Sequence, residues 1–466
     1  MWELSASPPA LGQPPGGLVS YSLPWPDTSP LAFLRQAGDA YRVYWENGPA
    51  SPAFAGYGWA ASLTAAGPDR FRSIRQEAAQ LFNKAILETD DTPPGVGPRL
   101  FGGFAFWAGD EPQDLWSAFP SACFVLPRYQ LTCLDGQSWL TVNHCLEAGQ
   151  DPYPILQSLR DDTQMLRLAL EMAGNRAQES RMQPHRAEIE LDIRYPMDRA
   201  AWQRLIETTT GRIRAGELEK VVLARTCRVQ STRYVEPADI LTRLRQKYPD
   251  CYRFLFEPAP GHVFYGATPE LLAEVSGLTL RTVALAGSSR RGETPDEDAT
   301  LARELLSNPK ERQEHAFVVE ALRQSLQPLV SELQVPPSPD IHRLNNIQHL
   351  RTAMQGRLAE PCGILPVVEA LHPTPAMGGT PRATALRLIA ENEPFSRGWY
   401  AAPVGWLDPH GDGLFAVAIR SAVSVGHEAC LFAGAGIVAD SDPDREWRET
   451  GLKFRPMLDA LGWAAR

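Results

Sequence analysis

Four groups of ionisable residues in this chain have the types and spacing that could do chemistry. In residues 434–453, GAGIVADSDPDREWRETGLK, the side chains of Glu446, Glu449 and Lys453 recur at i, i+3 and i+7. On a helix that spacing puts two carboxylates and an ammonium on one face, either a solvated salt-bridge face or a site. In residues 218–225, LEKVVLAR, Lys220 stands in an apolar run, where an ammonium is costly unless it is paired or used; it is either a gatekeeper on an edge strand or a general base with a lowered pKa. Glu270 follows a proline and precedes two leucines, so it either starts a helix or edges a cavity. Glu314 lies close to the apolar stripe of a helical segment, and with a carboxylate from a second helix it would make a hard-cation site: Mg²⁺ is typically held by one or two carboxylates plus waters and ligand oxygens. His315 beside it is a poor ligand for such a cation and is expected to be a hydrogen-bonding neighbour or core.

The elements that must position these residues are partly legible. Asp442 suits a helix N-cap, Pro443 the first helical position and Asp444 the positive dipole end, so a helix is expected to begin there. Ahead of it, Leu431, Phe432 and Ala433 read as a buried strand running into a glycine turn, Gly434-Ala435-Gly436, whose bare backbone would approach a ligand closely. Alternation along 220–224 places Lys220, Val222 and Ala224 on one strand face and Val221 and Leu223 on the other. Residues 282–287 form another apolar strand, ending in a second glycine turn, Gly287-Ser288-Ser289, that could present N–H groups to an anion; a hydrophilic loop through GETPDED follows. The clearest amphipathic helix spans 309–329, with Phe317, Val318, Leu322, Leu326 and Leu329 as its apolar set and Glu311, Glu314 and His315 in its early turns. Residues 196–216 read as a further helix stopped by Gly216. The first 175 residues show strands near 100–106, 122–125 and 140–142, helices over 73–88 and 154–173, loops at 14–17 and 93–95, and no catalytic constellation; 174–190 reads as a polar linker.

Whole-chain properties narrow the function classes. The 466 residues carry a formal charge of −10 and 44% hydrophobic content, enough for a large core. Net acidity without a Lys/Arg run argues against a nucleic-acid partner, so an anionic ligand would have to be held by local Arg, Lys, metal or main-chain N–H groups. The N-terminus lacks a basic, then apolar, leader, and no apolar run reaches ~18 residues, so a soluble cytoplasmic protein without membrane association is expected. Seven cysteines without CxxC spacing read as reduced thiols.

In order along residues 196 to the end, LEKVVLAR, GATPELL, VALAGSSRRG, ERQEH, IQHL, LHPTPAMGG, PVGWLD, FAVAIR, FAGAGIV and EWRETGLK resemble the chorismate-utilising enzymes, which include anthranilate, aminodeoxychorismate, salicylate and isochorismate synthases. LFGGFAF at 100–106 is a weaker echo of the N-terminal part of the same fold. The segment around Pro375, Ala376 and Met377 resembles the PTPA form of isochorismate synthases, and a lysine at position 220 is similar to the water-adding members.

The resemblance implies an α+β fold, one large unit of two stacked, mainly antiparallel sheets flanked by helices. Residues 1–190 would be its N-terminal, scaffolding part and 191–466 the catalytic region. It also implies chorismate as the small-molecule substrate, Mg²⁺ as cofactor, Lys220 as general base and Glu270 as general acid. Glu314 and Glu449 would be the metal ligands, with Glu446 acting directly or through water. Arg420 would clamp the enolpyruvyl carboxylate; Gly287, Ser288, Ala376, Gly434 and Lys453 would contact substrate, and His349 would line the ring site. Aminating relatives draw ammonia from a glutaminase; no glutaminase subunit is expected here, and no glutaminase nucleophile motif is present in the chain. Salicylate and aminating synthases remain the alternative activities, and the pathway served is menaquinone or siderophore biosynthesis.

Overall fold

The computed structural model describes residues 17–38, 40–48, 51–109, 112–177, 190–344 and 347–463, so most of the expected linker at 174–190 lies outside the described residues. The architecture turns on one long strand, Ala122–Leu134. One edge pairs along its length with Ala53–Ala65. The other edge is shared: Phe101↔Val125 to Phe104↔Ala122 join it to Leu100–Phe104, and Tyr129↔Val142 to Leu134↔Gln137 join it to Gln137–Leu146. Pro127 stands between the two stretches, where its missing N–H interrupts the ladder, and the partner strand shifts register between Trp59 and Ala61. Two sheets diverge from this point.

The first sheet runs from Ala53–Ala65 through Arg42–Asn47, Tyr252–Ala259, His262–Thr268, Ser421–Val425 and Glu428–Ile437 to Lys220–Ser231. The second runs from Leu100–Phe104 through Pro403–Leu407, Gly413–Val417, Leu271–Ser276 and Thr279–Arg290 to Ile347–Leu358. Apart from the parallel pair Gly17–Trp25 with Ile86–Thr89, pairing among the described residues is antiparallel. A continuous apolar core joins the sheets: Trp399 packs edge-on to Phe256 and Phe264 of the first, and its ring lies 2.9 Å from where a Cβ on Gly103 of the second would stand.

The chain passes between the sheets twice at one end of the molecule. Pro269 and Glu270 link His262–Thr268 to Leu271–Ser276, and residues 418–420 link Gly413–Val417 back to Ser421–Val425. The links are tied together, Val417 N–H donating to Glu270 O at 3.0 Å and Ala267 N–H to Arg420 O at 3.1 Å. Helix Pro309–Leu326 covers the second sheet's far end through Val318, Leu322 and Leu326, its start capped by the Asn308 side chain; helix Pro443–Leu461 covers the first sheet's far end, capped by Asp442.

Several sequence expectations are corrected. Of the two alternatives for Glu270 the cavity edge holds: it starts no helix and lies in a link between strands. Both glycine turns are strand interior, Gly434 and Gly436 in Glu428–Ile437 and Gly287 in Thr279–Arg290. The hydrophilic loop ends early, because Thr294 caps a helix over Pro295–Ser307. Phe317 is 46% exposed and leaves the apolar stripe. The expectation of reduced thiols holds: the seven cysteines are free.

Candidate active site

One cavity of about 120 Å³ lies where the two sheet ends, the two links and the two helices meet. Lys220, Glu270, Gly287, Ser288, Glu314, His349, Ala376, Arg420, Gly434, Glu449 and Lys453 all line it; Glu446 does not. A second, larger hollow of about 770 Å³ shares only Phe432 with it and contains none of the expected residues.

Lys220 is the first residue of its strand and is buried, with its Nζ donating to Glu314 Oε1 at 2.6 Å. The pair exists because Gly436 leaves room: a Cβ there would stand 2.9 Å from Lys220 Cε and 3.6 Å from Glu314 Oε1. Across the cavity, burial raises Glu270 to about 7 against the opposing pull of Lys220, Lys453 and Arg420, so its carboxyl carries a proton well above the usual carboxylate range.

With Lys220, two further cations face the same space, Arg420 and Lys453. Arg420 is buried on a left-handed backbone, φ 51°, a conformation costly for a non-glycine residue. Its guanidinium donates no hydrogen bond to the described residues, which leaves a planar fork for a ligand carboxylate. Lys453 Nζ bridges Glu449 Oε1 at 2.7 Å and the Gly434 carbonyl at 2.8 Å. At Gly287, φ 73°, the strand skips register against its neighbour, setting Ser288 opposite His349 with Ser288 Oγ 2.8 Å from His349 Nδ1. Burial and the nearby Arg420 and Lys453 push His349 down to about 3, so the ring is neutral.

The acidic residues form two i, i+3 pairs, one on each helix: Glu311 with Glu314, and Glu446 with Glu449. Burial and then the neighbouring glutamate raise Glu311, and the same causes lift Glu446 to about 7. Carboxylates held against one another in this way fit a bound cation. Among the described residues no three His, Cys, Asp or Glu side chains converge as a complete ligand set. Two lining carboxylates with the remainder supplied by water and ligand oxygens is the donor set that Mg²⁺ accepts.

The family model for chorismate binding enzymes matches residues 10–462. The chain belongs to the chorismate-binding enzymes. It is 35% identical to isochorismate synthase MenF of Bacillus subtilis over 96% of this chain and 94% of the relative. It is 36% identical to the salicylate biosynthesis isochorismate synthase of Pseudomonas aeruginosa over 90% and 84%. The fold superposes on that of MenF, the menaquinone-specific isochorismate synthase of Escherichia coli, with TM-score 0.76 and 27% identity over 96% of this chain and 95% of that one. Anthranilate synthase component I of Streptococcus pneumoniae shares the fold at TM-score 0.69 and 22% identity, covering 88% and 93%.

In this chorismate-binding enzyme two residues at the site escaped the sequence reading. Glu311 accepts from Ser288 N–H at 3.2 Å, and a Cβ on Gly287 would come within 3.1 Å of its Oε2. Its signal was present, since 311 and 314 repeat the spacing of 446 and 449. Tyr400 lines the cavity, stacked on Phe432 with ring centroids 4.9 Å apart, and its hydroxyl would lie 3.1 Å from a Cβ on Gly434. It stands outside any helix or strand, so no periodicity marked it. His315, by contrast, is buried and bonded to Thr352 Oγ1 at 2.8 Å, away from the cavity.

Proposed function

We propose that this protein is a Mg²⁺-dependent isochorismate synthase, moving the ring hydroxyl of chorismate from C4 to C2. The observation that carries the reading is the opposition, across one cavity, of a buried lysine and a carboxyl whose burial lifts its titration to about 7. Attack by water at C2 requires a base for the proton that water sheds. Loss of hydroxide from C4 requires an acid, and the two ring double bonds shift between them so that charge balances. Neutral Lys220 takes the proton from water at Nζ; Glu270 delivers its proton to the departing hydroxyl, which leaves as water.

Arg420 is assigned to the enolpyruvyl carboxylate, and Gly287, Ser288, His349, Ala376, Gly434 and Lys453 to contacts that orient the ring. Glu314 and Glu449 would hold Mg²⁺, with Glu446 behind Glu449. Bound there, the ion would neutralise the ring carboxylate and draw electron density from the diene. Relatives named for isochorismate synthesis across nearly the whole chain support this product. Both menaquinone and salicylate routes are represented among them, and full-length similarity to the MenF proteins favours menaquinone.

The test is incubation with chorismate and Mg²⁺, followed by product identification. Isochorismate without pyruvate release is expected; accumulation of salicylate and pyruvate would place the protein among the salicylate-forming enzymes. An amine product formed only with added ammonia would place it among the aminating ones.

A further inference from the structure

Arg225 ends the LEKVVLAR stretch but takes no part in the cavity. Strand alternation turns its side chain to the face opposite Lys220 and Val222. It is 2% exposed. Among the described residues it pairs with no carboxylate. Its guanidinium lies 3.7 Å from the Trp447 ring centroid, with the Phe454 and Tyr195 rings at 5.0 and 5.5 Å. Nε donates to Thr450 Oγ1 at 2.8 Å and Nη2 to the Trp447 carbonyl at 3.0 Å, while Nη1 finds no partner.

A guanidinium buried without a counter-charge, with one nitrogen unsatisfied, is expensive. Packing does not account for it, because an apolar side chain of similar length would fill the same aromatic surroundings without stranding a donor. The two hydrogen bonds and the closest ring contact share one target, the turn that carries Glu446 and Glu449. Thr450 Oγ1 passes the connection on, donating within 2.9 Å of the Glu446 carbonyl. A chain of bonds thus runs from the strand that bears Lys220 to the backbone of the acidic pair.

We propose that Arg225 is a positioning residue: it fixes the rotation and height of helix Pro443–Leu461 on strand Lys220–Ser231, so that Glu449, with Glu446 behind it, is presented to the cavity that Glu314 also lines. The inference rests on the metal reading above. A single strand then carries the base on one face and, through Arg225 on the other, steadies the helix that bears the acidic pair, keeping the two in a constant relation.

The test is Mn²⁺ binding to the substrate-free protein, followed by the loss of the free-ion electron paramagnetic resonance signal, with kcat and KM measured separately. Arg225→Lys keeps the charge but loses the planar fork and the stacking. Thr450→Val keeps the shape but removes the acceptor, and it carries the test if Arg225→Lys does not fold. Both are expected to weaken Mn²⁺ binding about 10- to 100-fold, the usual effect of losing an outer support of a metal ligand, while Thr450→Ser retains wild-type affinity. Folded variants, as judged by circular dichroism, that bind Mn²⁺ as tightly as the wild type would overturn the role of Arg225. A wild-type protein that takes up no Mn²⁺ would overturn the metal reading itself.

Discussion

At the scale of the residue, the cavity works by holding Glu270 away from its ordinary ionisation. In the folded protein its carboxyl titrates at about 7, and burial is the largest cause. As the proposed general acid it must be protonated, so kcat/KM is expected to fall as pH rises above about 7. Glu270→Gln should remove that limb together with most of the turnover, whereas Glu446→Gln should slow the enzyme and leave the limb in place. Stability follows the same titration. A carboxyl raised on folding stabilises the protein below the unfolded pKa, and that contribution is lost as pH rises through the folded value. Glu270→Gln is therefore expected to unfold later than the wild type at pH 8, by up to about 3 kcal/mol, with the advantage vanishing near pH 4; thermal melts at the two pH values measure it. Lys220→Ala should cost about 100- to 10,000-fold in kcat, the range for a general acid or base, and a variant of normal rate would refute the base assignment. Residue types at suggestive spacings were readable here because ionisable groups in apolar runs are costly wherever they fall. Tyr400 was not readable: its place at the cavity comes from a segment between elements, seated by contacts distant in sequence.

At the scale of the element, two strands carry glycine where side chains from elsewhere need the room. Gly436→Ala would put a methyl group 2.9 Å from Lys220 Cε, a flexible side chain that yields. The expected result is a fold of near wild-type melting temperature with kcat reduced about 100-fold, because misplacing a reacting group by roughly 1 Å costs that much. From sequence these glycines read as turns, since glycine weakens a strand and more often marks a break. The reason for strand geometry at Gly434 and Gly436 is tertiary, namely the Lys220 side chain and the Tyr400 hydroxyl. Glu270 was ambiguous for a similar reason: a two-residue link between sheets has no period of its own, and it is fixed by the bond from Val417 N–H and by its own N–H donating to Thr268 Oγ1. Helices with caps and a steady apolar stripe were legible to within a few residues, as at Pro309–Leu326 and Pro443–Leu461. Each of these helices brings one glutamate pair, and both are anchored by apolar packing without the ion. Removing Mg²⁺ with a chelator is expected to abolish turnover while the far-ultraviolet circular dichroism stays unchanged, and restoring Mg²⁺ should recover the rate and raise the melting temperature.

At the scale of the whole molecule, the first 190 residues hold no part of the lined cavity, yet the sheets that end there begin in them. Arg42–Asn47 pairs with Tyr252–Ala259 in the first sheet, and Leu100–Phe104 pairs with Pro403–Leu407 in the second. Buried charges cross the same boundary: Arg42 pairs with Glu257, and Arg253 with Glu46 at 3.0 Å, all four almost inaccessible. Residues 191–466 alone would expose two unpaired strand edges and leave Arg253 and Glu257 without their ionic partners Glu46 and Arg42. Breaking a buried pair by removing one partner costs about 3–5 kcal/mol, and losing two pairs approaches the whole stability of a typical domain, about 5–15 kcal/mol. The fragment 191–466, which contains every proposed catalytic and metal-binding residue, is therefore expected to be inactive and to aggregate or remain unfolded by size-exclusion chromatography and circular dichroism. Co-expression with residues 1–190 should restore soluble, active protein, because the two pieces can rebuild the shared sheets. A 191–466 fragment that folds and turns over chorismate alone would show that the sheet ends need no support from the strand Ala122–Leu134, and that the N-terminal half is dispensable to the geometry of the site.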